Sequence, residues 1–341
     1  MKKRIISILL ILILAMSALT ACTKENNSAD KSDEIVEKDN KELEEKTEIE
    51  YGIEILEDSV KFVDGRDKEV SISKNPERAV VLFNSYLEVW INSGGKVVGR
   101  LEETEEKEII EAKDAEIVGK QGAINLEKII ALEPDLVILN SNQKSQMELV
   151  PILEENGIEI IALNYFVKED YFRMVRLFTA LNNREDLYEE YAIKIREEIE
   201  EIIEKAPEDK GYKVLLMVAS PKKITVRSSG SYVGEMLKDL HTINISDEIS
   251  TSSEQIDFSM EKILEEDPDF IFVQTTGSDK EKVLERLKKD VEDNPAWASL
   301  KAVKEDRYIF LPKELYMYKA NQRYGEAYEG LAKILYPDIF K

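Results

Sequence analysis

Apolar positions along this chain follow two periods that alternate. Short unbroken apolar runs occur at Ala79 to Phe83, Leu136 to Leu139, Ile158 to Leu163, Val214 to Val218 and Phe270 to Val273. Runs of this length, rich in β-branched and aromatic residues, mark strands buried on both faces of a parallel sheet. Between them apolar residues recur at helical spacing, so strands and helices alternate and an open, mainly parallel α/β sheet is predicted. The stretch Asn125 to Asn140 (NLEKIIALEPDLVILN) recurs as Ser259 to Gln274 (SMEKILEEDPDFIFVQ), 134 residues further on and without a gap. Each copy is a helix stopped by Pro-Asp, then four apolar residues closed by an amide side chain. One structural unit carried twice predicts two similar lobes with a ligand cleft between them.

The rest of the pattern fills in the lobes. Val60 to Ile72 alternates about Asp64-Gly65-Arg66-Asp67, a β-hairpin signal. Strands are also predicted at Lys96 to Gly99, Glu116 to Gly119, Lys223 to Arg227 and Tyr308 to Leu311, with a closing helix near Gly325 to Leu335. Between the halves, residues 169–206 read as helix with one break at Asn182-Asn183, and Tyr188, Tyr191, Ile195, Ile199 and Ile202 form a single apolar stripe. The predicted organisation is an N-terminal α/β lobe (52–168), a helical backbone (169–206) and a C-terminal α/β lobe (207–341), the two lobes being joined by a long rigid α-helix. At 341 residues the chain can give each lobe its own core.

The amino terminus has another character. Met1-Lys-Lys-Arg4 is basic, Ile5 to Leu14 is almost wholly apolar, and Leu19-Thr-Ala-Cys22 follows. Residues 1–21 read as a secretory signal, because the apolar core falls short of the roughly 20 residues a spanning helix needs. Leu19 to Cys22 resembles a bacterial lipobox, which implies cleavage before Cys22 and lipid on its sulfur. Residues 22–51 are dominated by charged and small polar side chains and read as a disordered acidic tether.

Charge and rare residues narrow the chemistry. A net charge of −23, without a basic patch interleaved with aromatics, excludes nucleic acid as a partner. His241 is the only histidine. One imidazole cannot build the nitrogen-rich shell of a bare zinc or manganese site, so no metal site is expected. His241 itself reads as a surface or capping residue, with ligation of haem iron as the alternative. No nucleophile elbow, zinc-protease motif or dinucleotide fingerprint is present, so neither enzymatic activity nor a cofactor is expected.

Four stretches then carry a resemblance. They are Asn75 to Leu82 (NPERAVVL), Gly94 to Gly99 (GGKVVG), the repeated Asn125 to Asn140, and Asn294 to Trp297 (NPAW) with Leu300 to Lys304 (LKAVK). In this order and spacing the chain, from Val60 onward, resembles the substrate-binding lipoproteins of ABC importers, of the helical-backbone type that carries iron-siderophore complexes, haem or cobalamin. The resemblance implies a lipid-anchored monomer on the extracytoplasmic face of the cell membrane. It would capture a metal chelate, a ferric siderophore foremost, and deliver it to an ABC permease dimer. Haem or cobalamin as ligand, or a tethered sensor or adhesive domain with no transporter, are the alternatives. In the family one glutamate on each lobe surface pairs with permease arginines, and Glu127 and Glu261 occupy the matching positions. The chain departs from the family at Leu240-His241-Thr-Ile-Asn244, where Gly-Gly followed by Asn is common, and at Asn182-Asn183, where Leu-Gly is.

Ligands of open α/β sheets sit beyond the carboxyl ends of the strands. That rule selects Asn84, Tyr86, Arg100, Gln121, Asn140 and Tyr165 in the first lobe. In the second it selects Arg227, Thr275, Tyr316, Tyr318 and Arg323, with Ser228 to Tyr232, Gln274, Thr276 and Asn321 beside them. Guanidinium forks suit ligand carboxylates or catecholates, and tyrosines offer flat area with a polar tip. Arg78 precedes its strand and Arg66 lies in the hairpin turn, so both should point away from the cleft.

Overall fold

The computed structural model describes residues 49–103, 108–249, 256–257, 259–277 and 279–341. The predicted signal, Cys22 and almost all of the predicted tether lie outside the described residues. Two sheets carry the fold. The first has five parallel strands in the order Glu159–Leu163, Leu136–Asn140, Ala79–Val81, Val97–Arg100, Glu116–Ile117. The second has a parallel centre, Lys213–Ala219, Phe270–Thr275 and Tyr308–Phe310, with Ile243–Asn244 beside the first of these. Its edge, Ile224–Arg227 and Ile256–Asp257, is antiparallel. An antiparallel meander, Ile49–Glu50, Ile53–Ile55, Ser59–Val63 and Glu69–Ser73, precedes the first sheet and contains the predicted hairpin. The unbroken apolar runs have a direct cause: all five residues of Leu136–Asn140 are buried, as are six of the seven of Lys213–Ala219.

The sequence repeat is a repeat of structure in detail. Asn125 and Ser259 cap the helices Leu126–Ala131 and Met260–Glu266, each side chain accepting from the backbone N–H three residues on. Glu133 and Asp267 end them at φ 46° and 43°. Asp135 then accepts from the backbone N–H groups of Glu77 and Arg78, at 2.6 and 3.0 Å, and Asp269 from that of Lys213 at 2.9 Å. Each aspartate thus satisfies the entry of the neighbouring parallel strand, which fixes the pairing of Leu136 with Ala79 and of Phe270 with Val214.

The helical stretch between the lobes is a hairpin. Helix Lys168–Leu181 ends at Asn182, Asn183 turns the chain at φ 52°, and a second helical segment runs from Glu185 to Lys205 with a π turn at Glu189–Ile193. The second arm folds back on the first: Tyr171 donates to the Tyr191 carbonyl at 2.7 Å and the Arg196 guanidinium lies 4.7 Å from the Phe172 ring centre. Each lobe has an apolar cluster of its own, and a third cluster is shared between them. Alternate strand residues point to opposite faces. Val81, Leu136 and Ile138 of one sheet and Val214, Leu216 and Phe272 of the other enter a single apolar cluster that continues through the helices. Val80, Val137 and Leu139, and Leu215, Met217 and Val273, cover the outer faces in two smaller clusters. The lobes are therefore fused through a helical layer, which resists hinge opening.

His241 ends the helix Tyr232–Asp239 in the left-handed region, at φ 60°. Its N–H bonds the Lys238 carbonyl and that of Thr242 the Leu237 carbonyl, at 2.9 and 3.2 Å, a Schellman closure in which glycine is the favoured residue. His241→Gly is expected to raise stability by about 1 kcal/mol, read as an increased urea midpoint at unchanged slope.

Candidate functional site

A cavity of about 280 Å³ opens against the inner face of the second sheet at its carboxyl edge. Arg227, Gln274, Tyr232, Tyr316 and Lys319 line it from the second lobe, and Phe166 closes it from the first. Close packing brings these residues together. The helix Tyr232–Asp239 is pressed onto the preceding turn, where a Cβ on Gly234 would stand 2.0 Å from the Ser228 carbonyl oxygen, so only glycine lets Tyr232 reach the cavity. Tyr232 donates to the Leu315 carbonyl at 3.2 Å and accepts from the Ala320 N–H at 2.7 Å, which ties that helix to the loop 316–323. Gln274 donates through Nε2 to the Tyr316 carbonyl, which fixes the other end of the loop.

The wall is cationic. Burial pushes the Arg227 guanidinium down from its usual range. Burial likewise pushes Lys319 down to about 7, against the opposing pull of Asp170 and Glu235. Tyr232 and Tyr316 are pushed up by burial, so both phenols stay neutral donors.

The loop 316–323 also stitches the lobes. Tyr165 donates to Asn321 Oδ1 at 3.0 Å, Asn321 Nδ2 donates to the Ser85 carbonyl and to Glu88 Oε2 at 3.0 and 2.6 Å, and Gln322 donates to Glu88 Oε1 at 2.9 Å. Lys168 adds a pair with Asp239 at 2.6 Å.

Of the residues selected by the strand-end rule, Arg227 and Tyr316 line the cavity, and Tyr165 backs it through Lys319. Arg227 arrives by another route than the rule supposes. Its strand is antiparallel, with Arg227 opposite Leu216, so it enters from the inner face of the sheet. Tyr316 presents backbone, since its hydroxyl is turned to the Ala327 carbonyl at 2.9 Å.

The other selected residues are engaged elsewhere. Tyr86 is fully buried and donates to the Leu163 carbonyl at 3.0 Å. Arg100 closes on its own loop through the Ala112 and Leu101 carbonyls, with Glu103 at 3.6 Å. Asn84 donates to the Glu102 carbonyl, and Asn140 accepts from the Asn142 N–H in a local turn. Gln121 is exposed at the tip of the ribbon formed by Gly119–Lys120 and Ala123–Ile124. Thr275 ends its strand while its neighbour Thr276 faces the cavity, and Tyr318 lies in the loop outside the lining. Arg323 makes a bidentate pair with Glu326, both bonds at 2.7 Å.

Lys319 and Phe166, with the apolar Val218, Val233 and Met317, are lining residues that the strand-end rule does not select. The available signal was position: Lys319 sits inside the aromatic loop already singled out, and Phe166 follows Tyr165. His241 is not among the lining residues. Glu127 and Glu261 hold the same place in the two repeat helices, both exposed, and among the described residues neither has an ion-pair partner.

Two similar sheets, a bridging helical layer and one cationic inter-lobe cavity define a ligand-binding protein. The profile of the family described as periplasmic binding protein matches residues 80–315. The chain is 28% identical to the uncharacterized ABC transporter substrate-binding lipoprotein YvrC of Bacillus subtilis (strain 168), with 100% of both chains covered. It is 24% identical to the Fe(3+)-citrate-binding protein YfmC of the same organism, over 88% of this chain and 87% of the relative. Among solved structures, Staphylococcus aureus SirA complexed with staphyloferrin B shares the fold at a TM-score of 0.67 and 20% identity, covering 81% of this chain and 98% of that one. The chain belongs to the periplasmic binding protein family, as a solute-binding protein of the ABC importer type and not an enzyme. Among the described residues no helix is long and apolar enough to cross a membrane, and no group of three His, Cys, Asp or Glu side chains is placed to hold a metal ion.

Proposed function

We propose that this protein captures a compact, anionic metal chelate, a ferric siderophore or ferric citrate, in the inter-lobe cavity and delivers it to an ABC permease dimer. It would work from the outer face of the cell membrane, held by lipid on Cys22, and dock through Glu127 and Glu261. The observation that carries the reading is the meeting of Arg227 and Lys319 at one cavity whose other walls are phenol and amide groups. An arginine cation and a lysine in a partly desolvated space favour a ligand that brings negative charge. The volume of about 280 Å³ lies at the lower end for ligand pockets, and the shared core opposes widening. Both facts favour a compact chelate over haem or cobalamin. The names of two relatives, one binding Fe(3+)-citrate and one complexed with staphyloferrin B, agree with it.

Titration of the full chain with ferric citrate, a ferric carboxylate siderophore, haem and cobalamin tests this. The ferric carboxylates are expected to bind and the two macrocycles to fail. Arg227→Met should weaken ferric citrate by about 2–5 kcal/mol, roughly thirtyfold to several thousandfold. Binding of haem or cobalamin alone would reject the proposal.

A further inference from the structure

The lining of the cavity mixes two chemistries. Arg227, Lys319 and Gln274 are polar, whereas Phe166, Val218, Val233 and Met317 are apolar. Phe166 alone among these comes from the first lobe, and it is 43% exposed. Its place is fixed by backbone. The N–H groups of Phe166 and Val167 donate to Asp170 Oδ2 at 2.7 and 3.1 Å, which closes the first turn of helix Lys168–Leu181. On its other side the Phe166 carbonyl accepts from Lys319 Nζ at 3.1 Å. Tyr165 before it turns into the core, buried and stacked with Tyr171 at 6.4 Å between ring centres. The Phe166 side chain turns the other way, onto the cavity.

We infer that the ligand carries an aromatic ring beside its anionic oxygens, and that Phe166 is the specificity-determining residue that covers this ring. This rests on the reading of the cavity as a chelate site. A chelate made only of carboxylate and hydroxyl groups, as ferric citrate is, satisfies the arginine but sets polar oxygens against apolar side chains, where they lose water and gain no hydrogen bond. A catecholate chelate is built differently. Its oxygens gather at the metal and its rings form the outside, so one complex offers both an anionic edge and flat hydrocarbon. Phenylalanine suits the second part: it has no polar atom to satisfy, and ring against ring adds to the gain from area alone. Its partial exposure matters too, because a ligand laid on it removes from water the surface that the free protein leaves open. An exposed phenylalanine elsewhere on a surface calls for no explanation. This one is held by both its backbone polar groups over a cavity that otherwise belongs to the other lobe.

The test uses the full chain and two substitution-inert complexes that share metal, net charge and an all-oxygen shell, chromium(III) trisoxalate and chromium(III) triscatecholate. Only the second has rings. Wild type should prefer the triscatecholate by about tenfold to a hundredfold. Phe166→Ala, which loses both area and ring, should cut that preference about tenfold or more. Phe166→Leu keeps most of the area and loses the ring face, so its preference should fall about twofold to tenfold. Phe166→Trp should retain the preference and adds a direct reading of contact. The two natural tryptophans, Trp90 and Trp297, are buried, so the introduced indole is the one open to water. Its emission should move to shorter wavelength as the triscatecholate covers it. Equal affinities of wild type for the two complexes, an unchanged preference in Phe166→Ala and Phe166→Leu, or an unmoved indole emission overturns the inference. Binding of ferric citrate to the same protein leaves the chelate reading standing in each of these cases. Failure of both complexes and of ferric citrate overturns that reading as well.

Discussion

Reversing Glu127 and Glu261 together to lysine is expected to lower uptake of the transported ligand by about a thousandfold or more while leaving its affinity for the free protein unchanged. The structural basis is the repeat. A helix that leads into a parallel strand runs back along it, so its N-terminus lies level with the strand's carboxyl edge. Leu126–Ala131 and Met260–Glu266 both do this, which puts the two glutamates on the edge of the lobes where the cavity also lies. Two equivalent carboxylates on two equivalent lobes suit a permease dimer that offers one cationic site from each subunit. Placing a lysine against such a cation costs several kcal/mol, and the two sites are far enough apart in the chain's two lobes to add.

The plain alternative is that both residues only favour their helix N-termini, which is worth about 0.3–1 kcal/mol each. Glu→Gln at both positions separates the two. It removes the docking charge with little effect on the helix, so a large loss of uptake with normal unfolding midpoints supports docking. Transport at the wild-type rate in the doubly reversed protein, measured with labelled ferric citrate in cells, would discard it. Single reversals should give losses of similar size, since the two positions are structural copies.

What could be read from sequence divides along physical lines. Parallel strands buried on both faces announce themselves, because every position is apolar and nothing else of that length is: Leu136 to Leu139 and Phe270 to Val273 were legible residue by residue. The duplicated helix–Pro-Asp–strand unit was equally legible. The direction of the chain after Asn182-Asn183 was not, since an apolar stripe continues on either arm whether the helix runs on or folds back. The site was harder still. Tyr86 and Tyr232 each follow a strand and begin a helix, and nothing local separates them. One is sealed against the Leu163 carbonyl and the other faces the cavity because the surrounding loops close differently. Arg100 shows the same limit, its guanidinium consumed by its own loop. Lys319 was hidden for the opposite reason: a lysine in a polar loop usually faces water, and only the approach of a tyrosine from each lobe gives it another role.

Asn321→Ala is expected to cost about 3–5 kcal/mol of stability, the largest loss from any single truncation on the inter-lobe loop. Asn321 is fully buried, and its amide is the point at which Tyr165, Ser85 and Glu88 of the first lobe are all satisfied from the second. Truncation strands the Tyr165 phenol and the Ser85 carbonyl, each worth about 1–3 kcal/mol when left unpaired, and takes one donor from Glu88, which keeps its bond from Gln322. Backbone adds to this: at φ 52° asparagine is tolerated and alanine costs about 1 kcal/mol more. Asn321→Gly isolates the two contributions, since it loses the same hydrogen bonds without the steric cost and should be more stable than the alanine variant by about that amount. Asn321→Asp keeps the acceptor for Tyr165 but sets a second carboxylate against Glu88. Mutual repulsion raises both folded-state pKa values, so its deficit should be greatest above the carboxylate range and shrink as pH falls through it. Chemical unfolding of the three variants reads all of these. A loss below about 1.5 kcal/mol for Asn321→Ala would mean that the lobes are held by the shared apolar layer alone, and that the polar seam only aligns the cavity wall.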